Sequence, residues 1–134
     1  MANTTFSGPV ISQNGFIGDF TGNITGNVTG VLTGRVVGTV AARSGAGAVP
    51  ITAATVQITT AGTAAALTLA NGTAGQLLTL VMIVDGGGDA TLTPTTKTGF
   101  STIVFDAVGD TVTLQYFTTI GWMVVANSGA TINP

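Results

Sequence analysis

Residues 18–40, GDFTGNITGNVTGVLTGRVVGTV, decide how this chain is read. They repeat every four residues. Gly18, Gly22, Gly26, Gly30, Gly34 and Gly38 hold one position of the repeat; Phe20, Ile24, Val28, Leu32, Val36 and Val40 hold the position two residues on. Both sets carry even numbers, so an extended backbone places them on one face. The odd positions are mostly Asp, Asn and Thr, with Val31, Arg35 and Val37 as exceptions. A helix hosts this pattern badly. Gly costs roughly 0.5–1 kcal/mol against Ala inside a regular element, and a four-residue period drifts around a 3.6-residue turn. The stretch reads as β, with one face alternating bulk and gap.

One free strand of this length would run roughly 75 Å at about 3.3 Å per residue, far beyond ordinary strands. Alone it also has too little apolar area to offset its ordering cost. It must pair. The economical partners are other copies of itself, the bulky residues of one chain over the glycines of the next. Phe20, Ile24, Val28, Leu32, Val36 and Val40 are then the expected intersubunit core. The alternatives are an arm along a different protein, or a flexible linker. A pure linker has no need of a large apolar residue in every repeat.

Outward from the repeat, residues 1–17 read as an irregular lead-in broken by Gly8 and Pro9, with Val10 and Ile11 able to form a short strand. Residues 41–50, AARSGAGAVP, read as a linker. From Ile51 the pattern changes to strands of ordinary length: Thr55–Thr59, Ala65–Ala70, Leu77–Val84, Ala90–Pro94, Thr102–Asp106, Thr111–Phe117 and Trp122–Ala126. Turn signals separate them, notably Asn71-Gly72 and Gly86-Gly87-Gly88. Residues 51–134 are expected to form a small jelly-roll-like β-sandwich or barrel, so the whole chain is all-β. Leu78, Leu80, Met82 and Val84 share one face of their strand, and Leu77, Val81 and Ile83 the other. A strand apolar on both faces lies mid-sheet or has its outer face covered by a neighbouring subunit. Pro94 suits a strand edge.

Composition narrows the chemistry. Charged residues make up 6% of the 134, and His and Cys are absent, as is Glu. Typical domains carry about 25% charge. Three scattered basic residues give no electrostatic footprint for nucleic acid. Mean hydropathy is +0.59, yet no apolar run approaches the ~18–20 residues that span a bilayer. The opening MANTTFSGPV has no basic segment before an apolar core, so no signal peptide is expected. Ser–His and Cys–His catalysis is impossible without those residues. No cofactor, no metal and no enzymatic activity are expected. Asp85/Asp89 and Asp106/Asp110 flank glycine turns; their spacing does not match a calcium loop, and hydrogen bonding to turn backbone is the simpler reading. The three glycines lack the Lys and helix of a phosphate loop. Trp122 is either a core anchor or part of an exposed ligand face.

The opening TTFSGPVISQNGFIG (residues 4–18), followed by GNITGNVTG-type tetrapeptides, resembles virion proteins of tailed bacteriophages, notably marine and cyanobacterial ones. Residues 74–94 and 105–132 are similar to the small β domains at the ends of such proteins. The resemblance implies a structural, non-enzymatic protein of the virion that is commonly trimeric. With only about six repeats, a fibre shaft is short, so a capsid decoration (cement) protein on the outer capsid surface, bound to the major capsid protein, fits better. Thr5, Phe6, Val10, Ile11 and Phe16 are the expected attachment residues, by strand addition to a capsid edge. The alternative is a short fibre, collar or knob module binding a host receptor or glycan. Its support would be exposed aromatics at loop tips, for which Phe100 and Trp122 are the candidates.

Overall fold

The computed structural model describes Val31 and residues 33–134. The lead-in 1–17, the repeat positions Phe20, Ile24, Val28 and Leu32, and Thr5, Phe6, Val10, Ile11 and Phe16 lie outside the described residues. Residues 35–134 form one unit.

The chain is all-β. Among the described residues ten strands follow in order: β1 (Val40–Ser44), β2 (Gly47–Ala48), β3 (Thr55–Thr59), β4 (Ala65–Leu69), β5 (Leu77–Val84), β6 (Ala90–Pro94), β7 (Thr102–Phe105), β8 (Thr111–Phe117), β9 (Gly121–Ser128) and β10 (Thr131–Asn133). β3, β5, β6 and β8 coincide with the sequence reading, and β4, β7 and β9 agree within two residues at each end. The strands build two five-stranded sheets. Sheet A has the order β1-β3-β5-β8-β9, and sheet B the order β10-β7-β6-β4-β2.

The wiring has a simple logic. From β1 to β6 the chain crosses to the opposite sheet at every connection, so each strand returns to its own sheet in the same direction. β1/β3, β3/β5, β2/β4 and β4/β6 are accordingly parallel. A parallel pair needs a long crossover, and here the crossover is a strand of the other sheet. From β7 the pairs are antiparallel: β6/β7, β5/β8, β8/β9 and β7/β10. The sheets are thus mixed, unlike the antiparallel wiring of a jelly roll.

One core fills the space between the sheets. Val56, Ile58, Leu78, Leu80, Met82, Val112 and Leu114 reach in from sheet A; Leu67, Leu69, Leu92, Ile103 and Phe105 reach in from sheet B. Each set alternates along its strand, as a pleated chain with one buried face requires. Trp122 is fully buried and packs edge-on against Tyr116, ring centroids 5.2 Å apart.

The reading of residues 41–50 as a linker is corrected: they contain β1 and β2. Small residues and glycines suggested flexibility, but a ladder is made by backbone pairing. β1 lies in full register on β3, from Val40 opposite Thr55 to Ser44 opposite Thr59. Ala41 packs against the core, and Arg43 lies over Gly47, where any Cβ would collide with its guanidinium. The boundary between repeat and β body also moves. Thr39 accepts backbone hydrogen bonds from Ala54 and Thr55, and a Cβ on Gly38 would stand 2.6 Å from that of Ala54. The last repeat therefore belongs to the folded unit.

Pro94 ends β6, a central strand rather than an edge. β7 pairs with β6 only from Ala90 to Leu92. Thr95 donates to Leu69 of β4, so the nitrogen of Pro94 points the other way, where the ladder has already stopped. No donor is missed there.

Candidate assembly surface

The connections between the sheets sort the charges. Val81 pairs with Thr111 and Ala90 with Phe105. The β5–β6 and β7–β8 connections therefore lie at one end of the unit, bringing Asp85, Asp89, Asp106 and Asp110 to that end. Lys97, in the β6–β7 connection, is at the opposite end and is held by the carbonyl of Pro94 at 2.9 Å. Among the described residues no three His, Cys, Asp or Glu side chains are placed to hold a metal. Two of the aspartates, Asp85 and Asp110, bind turn backbone. Asp85 accepts from the Gly87 N–H at 2.8 Å. Buried Asp110 accepts from the N–H groups of Asp106 and Ala107 at 2.9 and 3.0 Å. Desolvation, and then the carboxylates of Asp110 and Asp89, hold the Asp106 carboxyl above its ordinary pKa.

The glycine triplet is a close-packed turn. A Cβ on Gly86 would collide with the Thr60 carbonyl, and one on Gly88 with the Thr63 carbonyl. The N–H of Gly86 is taken by the Thr60 hydroxyl at 3.1 Å, which closes the triplet on the β3–β4 connection.

The two candidate aromatics for an exposed ligand-binding loop are both buried, and Trp122 is the core anchor of its two readings. Phe100 is 7% exposed and Trp122 is 0% exposed. The Trp122 Nε1–H donates to the Ala70 carbonyl at 2.9 Å, so its polar atom is also used internally. Of the expected intersubunit residues, Val36 and Val40 are described, and both are exposed, at 77% and 61%. Val40 opens β1, which is an edge of sheet A.

The outer faces of the two sheets differ sharply. That of sheet B carries Ala48, Ala66, Thr68, Thr91, Thr93, Thr102, Val104, Thr131 and Asn133, which are small or hydroxylated except for the half-buried Val104. Among the described residues, every strand-borne large apolar residue that is exposed belongs to sheet A: Val40, Leu77, Ile83, Val84, Phe117 and Val125. The middle of that face is polar, and the hydroxyls of Thr79 and Thr113 share one hydrogen bond at 3.0 Å. The sequence signal for this face was the strand 77–84, apolar on both sides. Its inner row, Leu78, Leu80 and Met82, is fully buried, and the bulge between Ile58 and Thr59 leaves Val84 exposed at 46%.

No protein-family model and no curated protein matches the chain.

Proposed function

We propose that this chain is a structural protein of a tailed-bacteriophage virion, a capsid decoration protein that binds the assembled shell as an oligomer, most simply a trimer, and stabilises it. The observation that carries the reading is the exposed valine row of the repeat, Val36 to Val40, which runs directly into the open edge strand β1. Such an edge, unpaired among the described residues and beside exposed apolar side chains, is a surface for strand pairing. A chain with 6% charged residues and no His, Glu or Cys has little else to offer a substrate. The resemblance of residues 4–18 and of the tetrapeptides to phage virion proteins supplies the setting.

A decoration protein acts by mass action. Binding the assembled shell and not its free subunits raises shell stability. The test compares the thermal and chemical disruption of capsids with and without the protein, together with its copy number per virion. Hundreds of copies and a raised disruption temperature are expected. An unchanged temperature defeats the cement role, and a dozen copies or fewer moves the protein to the tail or collar.

A further inference from the structure

We infer that the outer face of sheet A in the folded unit is itself a self-association surface, covered by another copy of this chain. The inference concerns residues 40–128 and does not depend on the virion role.

Four observations carry it. First, the face holds no charge. Its outward rows are Val40, Ala42 and Ser44 on β1; Thr55, Gln57 and Thr59 on β3; Leu77, Thr79, Val81 and Ile83 on β5; and Thr111, Thr113 and Gln115 on β8, with Phe117 and Met123 at the rim. A charged face would repel its own copy, whereas this one stacks on itself without like-charge cost and offers a charged partner nothing to pair with. Second, its central hydroxyls, Thr79 and Thr113, share a hydrogen bond at 3.0 Å. That bond uses one of their two O–H donors within the face, which leaves less for water or a partner to satisfy.

Third, the size is that of a small interface. Five strands about 4.8 Å apart, each five to eight residues long at about 3.3 Å per residue, cover roughly 24 by 20 Å. Burying that on two copies removes on the order of 1,000 Å², the lower bound for a specific interface. Fourth, the chain outside the described residues joins the unit at β1, the edge of this same sheet. Where the repeats also associate, the two contacts are joined in one chain and act together.

The test uses the full-length chain. Leu77→Lys with Ile83→Lys places charge on sheet A at positions 56% and 40% exposed. Thr68→Lys with Thr93→Lys does the same on sheet B and serves as control. Sedimentation equilibrium is expected to show a dissociation constant at least tenfold weaker for the sheet A variant and unchanged for the control. A folded sheet A variant with the wild-type constant overturns the inference, as does a monomeric wild-type chain. If Ile24→Asp with Val28→Asp dissociates the oligomer and the folded sheet A variant does not, the repeat alone holds the copies and the inference fails while the proposed oligomer stands.

Should the lysines prevent folding, the absence of cysteine offers a second route. Single Thr79→Cys, Leu77→Cys and Thr113→Cys chains are oxidised and compared with Thr93→Cys on sheet B. Intermolecular disulfides at one or more of the sheet A positions, with none at Thr93→Cys, support the contact. Their absence at all three overturns it.

Discussion

The indole Nε1–H of Trp122 donates to the carbonyl of Ala70 at 2.9 Å, across 52 residues of sequence. Trp122 belongs to β9 in sheet A, and Ala70 follows β4 in sheet B. The bond ties the two layers together at the end where the long connections lie. Trp122→Phe keeps much of the ring but leaves the Ala70 carbonyl without this donor; a loss of about 1–3 kcal/mol is expected. Trp122→Ala should cost about 3–5 kcal/mol. Urea denaturation monitored by circular dichroism measures both, and a midpoint unchanged in the alanine variant would remove Trp122 from the core's supports.

Asp110 is the polar counterpart of Trp122 at the opposite end. Its carboxylate gathers two N–H groups of the β7–β8 turn. Asp110→Ala should destabilise by about 1–3 kcal/mol, because two turn donors lose their acceptor. Asp110→Asn retains one acceptor oxygen and should cost less. Thermal unfolding of the two variants side by side checks the order.

Asp106 gives a pH signature of the opposite sign to most carboxylates. Its folded pKa is raised above 3.8, by desolvation and then by Asp110 and Asp89. The folded state therefore holds this proton more tightly than the unfolded chain does. The resulting stability is fully present below the unfolded pKa and is lost as pH rises through the raised folded value. Asp106→Asn abolishes that term. Relative to wild type, the variant should gain melting temperature as pH rises from about 3 to 6. A difference constant across that range would show that Asp106 titrates alike in both states.

Gly88 tests the packing of the triplet. A Cβ there meets the Thr63 carbonyl, and Thr63 is itself pinned by donating its N–H to Ala61 at 2.6 Å. Gly88→Ala should cost on the order of 1–3 kcal/mol through this backbone collision. Equal stability of the variant and wild type would mean that the turn can move aside.

The repeat makes its own prediction. Ile24→Asp with Val28→Asp should reduce the sedimenting mass to that of a single chain if the apolar row is intersubunit core. An unchanged profile would make the repeat a tether.

Much of this fold was legible in the residues, for a local reason. Alternation such as Val112, Leu114 and Tyr116 against Thr111, Thr113 and Gln115 is imposed by the pleat, and turn glycines such as those at 86–88 punctuate it. The sequence alone therefore determined the all-β class and the main strands from Thr55 onward; for β5 it showed two apolar faces without deciding which is inward. It did not determine which strands pair or in which direction, because alternation is identical in parallel and antiparallel ladders. Nor did it reveal β1 and β2, whose small residues become strands through the hydrogen bonds that β3 and β4 supply. The fates of Phe100 and Trp122 were likewise tertiary: an aromatic beside a glycine reads alike at a loop tip and in a core. Only the assembled sheets decided that both are buried, and that the uncovered apolar side chains on strands all lie on sheet A. That asymmetry depends on how the crossovers distribute strands between layers, which no local pattern encodes.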